Sequence, residues 1–280
     1  MVSATLYASG TGKQTTGRGI GVAKDDIVSW GDLGAALGLL TRLPVRVDPA
    51  FAPARGARAA WAWPLVGAVV GAMAAGVAAL ALWLGLPAAL AAGLALATQI
   101  LLTGALHEDG LADSADGLWG GWTPDRRLAI MKDSQIGTYG VVALILSLGL
   151  RWAALAALVG QGWVWTALLI AGMLSRLPMV MLLYALPPAR AGGLGQGVGV
   201  PPVPTLALAI GIALAGAAGL GGLWALPLVL AVGGVTWLWA MIARARIGGQ
   251  TGDILGASQQ LAEVMVLVTM SGLVGAMGGP

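Results

Sequence analysis

A short acidic segment near the middle of the chain holds the residues best suited to chemistry. The single histidine, His107, is followed directly by Glu108, and half of the 12 acidic residues lie between positions 108 and 133. The chain as a whole is 58% hydrophobic and only 10% charged. Such a concentration of negative charge in so apolar a chain indicates a functional site.

Three of these acids share one face if the segment is helical. Asp109, Asp113 and Asp116 have the spacing i, i+4 and i+7, which places them in one narrow stripe. Carboxylates held that close repel one another, and a bound cation would offset the repulsion. Oxygen ligands alone suit Mg²⁺, Mn²⁺ or Ca²⁺, whereas zinc prefers His and Cys. The stripe therefore predicts a divalent-cation site, with Asp133 as a further candidate ligand.

The stripe is expected near the end of a membrane helix. We predict that the apolar span at 88–106 continues as one helix through Gly117, which puts the acids near its C-terminal end. Negative charge there opposes the helix dipole and argues against the alternative, a purely structural acidic helix end. His107 titrates near neutral pH and is a candidate general base. Hydrogen bonding to phosphate and interfacial packing are the other interpretations of this residue.

The elements around this segment are predicted to be membrane helices. Mean hydropathy is +0.86, and long apolar runs recur along the chain, as expected for segments that cross a bilayer. A shorter apolar segment from Trp30 to Leu43 precedes them and suits an interfacial or re-entrant helix. The fold class is therefore all-α, a polytopic bundle. We place about seven spans at 60–84, 88–106, 140–159, 163–186, 204–222, 225–243 and 262–278.

The domain organisation is simple. Residues 28–280 are predicted to form one integral-membrane domain behind a polar tail, 1–27, that we expect to be disordered. Because the chain has no cysteine, disulfides, thiolate metal sites and cysteine nucleophiles are excluded. Basic residues are scattered singly without a basic stripe, which argues against nucleic-acid binding.

The distribution of Lys and Arg predicts the orientation of the spans. Basic residues occur in the loops at 44–59, 107–139, 187–203 and 244–261, and none occurs in the opposite loops near 85–87, 160–162 and 223–224. Positively charged loops face the cytoplasm, so the acidic segment is expected on the cytoplasmic face. Arg151 and Arg176 lie inside apolar spans instead. Snorkelling and a functional role are equal alternatives for Arg151, and function is favoured for Arg176 because it lies deeper.

Two further polar segments are predicted on the same face. Thr123, Pro124 and Asp125 have the pattern of a helix start, and a helix to Asp133 would carry basic residues suited to phosphate. The glycine-rich loop at 244–253 would let backbone N–H groups approach an anion. The candidate substrate-binding residues of these segments are Arg126, Arg127, Lys132, Arg244, Arg246 and Asp253.

Residues 107–117 have the sequence His-Glu-Asp-Gly-Leu-Ala-Asp-Ser-Ala-Asp-Gly, and residues 127–140 have the sequence Arg-Leu-Ala-Ile-Met-Lys-Asp-Ser-Gln-Ile-Gly-Thr-Tyr-Gly. These two motifs resemble those of cobalamin synthase, the adenosylcobinamide-GDP ribazoletransferase family. The resemblance extends to the segments at 40–44, 63–67 and 248–257, and so covers about 35–265. The segment at 40–44 adds Arg42 to the candidate substrate-binding residues, which also include Arg176.

This resemblance implies a polytopic enzyme of the bacterial inner membrane that requires Mg²⁺. Such enzymes join adenosylcobinamide-GDP to α-ribazole or its 5′-phosphate, release GMP, and form adenosylcobalamin or its 5′-phosphate. On this basis Asp109, Asp113 and Asp116, with Asp133, are expected to hold one or two Mg²⁺ ions. His107 or Glu108 is the candidate base, and Asp109 and Asp113 complete the catalytic set. Self-association into a homo-oligomer stays open.

Two other functions fit parts of the pattern. The Asp-Gly-x-x-Ala-Asp portion is similar to the motif of CDP-alcohol phosphotransferases, which make lipids, but that family has Arg where this chain has Asp113. A cation-coupled transporter would also carry acids and arginines within its spans. Transporters place such residues near the bilayer midplane in broken helices, whereas here we predict the acids at one interface. An enzyme is therefore favoured.

Overall fold

The computed structural model describes residues 26–192 and 197–277, so nearly all of the predicted tail at 1–27 lies outside the described residues. Within these ranges the chain is helical and has no β-strand. The α-helices are α1 (Trp30–Leu40), α2 (Phe51–Arg55), α3 (Trp63–Trp83), α4 (Ala88–Thr103), α5 (Leu106–Gly120), α6 (Pro124–Ile130), α7 (Thr138–Gly160), α8 (Val164–Ala185), α9 (Val203–Gly221), α10 (Ala225–Ile247) and α11 (Gly252–Met277). Short 3₁₀ helices at Gly56–Ala62 and Gly222–Trp224 lead into α3 and α10.

The lengths and apolar composition of these helices confirm a polytopic membrane bundle. Five helical stretches are long and apolar enough to cross a bilayer: Phe51–Trp83, Thr138–Gly160, Val164–Ala185, Val203–Ile247 and Gly252–Ala276. The fourth stretch contains both α9 and α10, two of the predicted spans. The pair α4 and α5 counts as a sixth only if the two are taken as one broken span. Helix α11 begins ten residues before the predicted edge at 262, so 252–261 is helical and not a loop.

The predicted continuation of the second span through Gly117 is wrong. Helix α4 ends at Thr103, and the chain then turns by 87° into α5. Gly104 (φ 64°) and Ala105 (φ 58°) both adopt the left-handed conformation, which ends the i to i−4 hydrogen bonding of α4. The acids consequently lie on a separate helix, with Asp109 in its first turn, where the helix dipole favours negative charge. The helix dipole is therefore compatible with a structural role for acids in this turn.

Helix α8 is the centre of the bundle and packs against α3, α9 and α11. Its contact with α3 is especially close, because a methyl group added at Gly67 or at Gly172 would collide with the other residue's carbonyl. Small residues at such crossings allow close backbone packing in a bilayer. Helix α11 packs on α8 and in turn contacts α5 and α7.

Helix α1 is attached to the bundle by one buried charge pair. Asp32 accepts hydrogen bonds from Arg55 at 2.7 and 2.6 Å and from the indole of Trp61 at 2.9 Å. The carboxylate also accepts from the backbone N–H of Ser29 and so caps the start of the helix. After α1, the backbone N–H of Arg42 donates to the carbonyl of Leu102, which brings this segment onto the α4–α5 corner.

Candidate active site

The last acid of the predicted stripe, Asp116, has a structural partner. Asp116 is buried, and its carboxylate accepts hydrogen bonds from the backbone N–H groups of Gly137 (2.7 Å) and Gly140 (2.9 Å). A Cβ atom at either glycine would collide with this carboxylate. The interaction satisfies amides at the N-terminus of α7, which have no partner within the helix. Asp116 therefore joins α5 to the beginning of α7.

The other two acids of the stripe meet a third carboxylate from α11. Asp109 is exposed and Asp113 half-buried, while Gly110 between them packs directly against the backbone of Asp253. Helix α5 carries four acids and lies outside the five spanning stretches. Burial is the main cause that raises the pKa of the Asp113 carboxyl to about 7, and the charges of Asp109 and Asp253 add to it. We refer to Asp109, Asp113 and Asp253 as the outer cluster.

Arg190 faces this outer cluster and was not among the predicted site residues. Two backbone hydrogen bonds pair the segments on either side: Gln250 N–H to Pro187 at 2.8 Å and Ala189 N–H to Gln250 at 2.9 Å. They place Nη2 of Arg190 3.2 Å from Oδ2 of Asp253. The Nε and Nη1 atoms of Arg190 are buried but make no hydrogen bond within the described part of the chain. The available signal was a basic residue in a predicted cytoplasmic loop directly after a span.

A second group of charges lies deeper in the bundle, and we refer to it as the inner network. Arg151 is 1% exposed and forms ion pairs with Glu108 (3.0 Å) and Glu263 (2.9 Å). Arg176, 2% exposed, lies 3.5 Å from Glu263. Snorkelling is therefore wrong for both arginines, because each guanidinium is paired inside the protein. Gln259 and Gln260 of α11 complete the network through hydrogen bonds to Glu263 and Glu108.

Glu263 was missed in the sequence, although the signal for it was present. It is an acid inside an apolar span, and such residues usually pair with another charge. The two arginines identified in the spans were the obvious partners. The sequence contains no indication of which acid each arginine meets, since the paired residues are separated by 43 to 112 positions.

The structure separates the predicted catalytic residues into two environments. His107 is 2% exposed, and its Nε2 atom has no hydrogen-bond partner among the described residues. Glu108 is buried beside Arg151, with Oε1 accepting from Arg151 and Gln260. Asp109 and Asp113 instead reach the surface. The predicted base candidates therefore belong to the buried layer, and the predicted metal ligands near Asp113 belong to the outer cluster.

The predicted phosphate-binding residues also differ in their surroundings. Thr123 caps α6 as predicted, but α6 ends at Ile130 and not at Asp133. Arg127 donates to the carbonyls of Gly121 and Arg246, both at 2.9 Å, and so connects α6 to the end of α10. Of the remaining candidates, Arg176 is buried in the inner network, and the exposed ones are Arg42, Arg126, Lys132, Arg244 and Arg246.

The donor chemistry of the outer cluster fits a magnesium ion that is shared with a substrate. Among the described residues, no three acid or histidine side chains are gathered closely enough to hold a metal by themselves. Mg²⁺ commonly uses one or two carboxylates and takes its other ligands from phosphate oxygens and water. Asp109 and Asp113 suit that role, because they are the acids of the stripe that reach the surface and, with Asp253, they outnumber the one arginine that faces them in the described part of the chain. The two other predicted metal ligands lie outside the outer cluster: Asp116 accepts hydrogen bonds from backbone amides, and Asp133 is exposed in the segment after α6.

Comparison with known proteins identifies relatives of nearly equal length. A protein from Bradyrhizobium diazoefficiens named adenosylcobinamide-GDP ribazoletransferase is 47% identical over 245 residues, which cover 85% of this chain and 92% of that protein. Proteins of the same name from Azorhizobium caulinodans and Brucella anthropi are 45% and 43% identical, again over 85% of this chain and over 94% and 95% of their own lengths.

A family model extends the same result across the bundle. The model described as cobalamin-5-phosphate synthase matches residues 32–271, from the start of α1 nearly to the end of α11. No solved structure matches the chain. The matched region contains both the outer cluster and the inner network. The chain belongs to the cobalamin-5-phosphate synthase family.

Proposed function

We propose that this protein is a membrane-embedded adenosylcobinamide-GDP ribazoletransferase. It joins adenosylcobinamide-GDP to α-ribazole or α-ribazole 5′-phosphate, releases GMP, and forms adenosylcobalamin or its 5′-phosphate. The observation that carries this proposal is the outer cluster: surface carboxylates with unbalanced charge, beside an arginine with free donors, in a chain of this family. A pyrophosphate substrate with its Mg²⁺ ion would supply both missing partners, the cation for the carboxylates and the oxygen acceptors for the arginine.

The outer cluster divides the work of binding between two kinds of residue. Asp109 and Asp113, with Asp253 next to them, would hold Mg²⁺ against the pyrophosphate. Such an ion supplies charge neutralisation for phosphoryl transfer. Arg190 opposes Asp253 with one nitrogen and presents two more N–H donors, which suit phosphate oxygens. The exposed residues Arg126, Lys132, Arg244 and Arg246 are additional candidates for phosphate contacts.

The reaction exchanges one bond at phosphorus. A ribose hydroxyl of the ribazole other than the 5′ group, which already carries phosphate in one of the two acceptors, loses its proton to water, and its oxygen forms a bond to the phosphorus attached to the cobinamide arm. The bond from this phosphorus to the oxygen of the GMP phosphate breaks, and GMP leaves with the electron pair. Of the predicted catalytic residues, Asp109 and Asp113 reach the surface where the substrate binds. We assign the buried His107 and Glu108 to positioning, because Glu108 is fixed by Arg151.

We further propose that the protein lies in the bacterial inner membrane with the outer cluster on the cytoplasmic face. The support is the distribution of Lys and Arg, which occur in the loops on the side of α6 and of the α10–α11 connection. In this orientation a nucleotide-activated substrate would reach the site from the cytoplasm.

The test is GMP release by the purified protein in detergent or liposomes. We expect GMP and a corrinoid product only when adenosylcobinamide-GDP, a ribazole acceptor and Mg²⁺ are all present, and loss of turnover with EDTA that excess Mg²⁺ restores. A matched reaction with CDP-diacylglycerol and an alcohol acceptor should release no CMP. Release of CMP in that reaction, or no GMP release under any of these conditions, would refute the proposal.

A further inference from the structure

The face of α5 that carries the acid stripe continues into a cavity of about 270 Å³. Gly120 follows Asp113 by two helical turns on the same face, at a distance along the helix axis of about 10 Å. Asp116 and Gly120 line the cavity from α5. The opposite walls are formed by the end of α6 and the beginning of α7, through Ile130, Asp133, Gln135 and Tyr139.

The position of this cavity corresponds to the base of a nucleotide whose phosphates lie at the outer cluster. A base and its phosphates are separated by a ribose, so the base of a nucleotide whose phosphates lie at the outer cluster must lie some distance along α5 from Asp113. Phosphate itself is disfavoured in the cavity, because the carboxylates of Asp116 and Asp133 both line it. A neutral, flat group with N–H donors is favoured instead.

The chemistry of the walls distinguishes between bases. Asp133 is held in a turn, since its Oδ1 atom accepts the backbone N–H of Gln135 at 3.1 Å. A carboxylate accepts two parallel hydrogen bonds from adjacent donors. Guanine presents such a pair, N1–H and the 2-amino group, on one edge. The base of ribazole has an acceptor nitrogen and no N–H donor, so it does not match this wall.

We propose that this cavity binds the guanine base of the substrate and of the departing GMP, with Asp133 accepting hydrogen bonds from N1–H and the 2-amino group. Ile130 and Tyr139 supply apolar and aromatic surface for the flat ring. The inference rests on the proposed function and deepens it. It also gives Asp133 a role in base recognition in place of the predicted metal binding.

The experiment measures how strongly added nucleoside monophosphates inhibit formation of the corrinoid product. Hypoxanthine lacks the 2-amino group, so IMP should inhibit the wild-type protein at least about tenfold less strongly than GMP. In Asp133→Asn the side-chain amide can donate to the 2-oxo group of xanthine. This variant should be inhibited more strongly by XMP than by GMP, the reverse of the wild-type order. Asp125→Asn, which changes another exposed acid of the same region, should keep the wild-type order.

The results separate this inference from the proposed function. A wild-type protein without GMP release refutes the proposed function. An active wild-type protein that GMP and IMP inhibit equally overturns the guanine site, and this measurement requires no variant. The site is also overturned if Asp133→Asn keeps the wild-type order. Loss of turnover in Asp133→Asn at saturating substrate and Mg²⁺ would likewise overturn it, since that result indicates a metal ligand.

Discussion

Glu108 and Asp113 lie five residues apart on α5, yet their electrostatic surroundings are opposite. In the inner network, Glu108 and Glu263 are matched by Arg151 and Arg176, and all four side chains are buried. In the outer cluster, three carboxylates face the single guanidinium of Arg190 among the described residues. The protein itself neutralises the charge of the inner network, whereas the excess negative charge of the outer cluster would be neutralised by a bound ligand.

The difference separates structural acids from functional ones. Buried ion pairs cost desolvation and persist where both partners are present, so the inner network holds helices together. Its four charges come from α5, α7, α8 and α11, and it fixes the direction of α5 within the bundle. Helix α5 in turn positions Asp109 and Asp113 of the outer cluster. We expect substitutions in the inner network to reduce stability and substitutions in the outer cluster to reduce activity.

The largest effect is expected from Arg151→Met. This change leaves Glu108 and Glu263 buried with one cation between them, and breaking such a pair costs about 3–5 kcal/mol. Thermal unfolding of the purified protein measures the loss. The double variant Arg151→Met/Glu263→Gln removes one charge of each sign and should recover part of the stability. A double variant no more stable than the single one would show that charge balance is not what stabilises the network.

The second largest effect is expected from Asp113→Asn, on activity alone. Loss of one carboxylate from the outer cluster should lower kcat by about 100-fold or more, a typical cost of one electrostatic contact to a transition state. The unfolding temperature should stay the same or rise, because the change relieves repulsion with Asp109 and Asp253. Asp125→Asn is the matched control. An Asp113→Asn protein with full turnover would remove the distinction between the two groups.

Arg190→Met should have a smaller effect, on substrate binding. We expect KM for adenosylcobinamide-GDP to rise about tenfold, which corresponds to about 1.4 kcal/mol. Arg190→Lys keeps the charge but loses the fork of donors, so it should recover only part of the affinity. Steady-state kinetics at fixed Mg²⁺ measures both variants. An unchanged KM in Arg190→Met would exclude the assigned phosphate contact.

The smallest effect concerns pH. The folded-state pKa of Asp113, about 7, lies above the unfolded value of about 3.9, so the folded protein retains this proton more strongly. In EDTA, stability should therefore fall as pH rises from about 4 to about 7. Unfolding temperatures across this range measure the slope, and Asp113→Asn should flatten it. An identical slope in that variant would assign the titration to other groups.

Local signals in the sequence predicted much of this arrangement. The spacing of Asp109, Asp113 and Asp116 indicated one helical face, and Thr123 and Pro124 marked the beginning of α6. The corner at Gly104 and Ala105 was not predicted, because a left-handed alanine has no sequence signature and depends on the packing around it. The pairing of Arg151 with Glu263 joins residues 112 positions apart, and only the packing of α7 against α11 brings them together.

The hydrogen bonds of Asp116 also determine where an anion can bind. The N-terminus of a long helix attracts phosphate, and α7 would offer such a site. Its amides at Gly137 and Gly140 are instead occupied by the chain's own carboxylate. Asp116 therefore excludes phosphate from this position, and the cavity beside it is the proposed site of an uncharged group. A substrate with a negative end and a neutral end can then bind in one direction only.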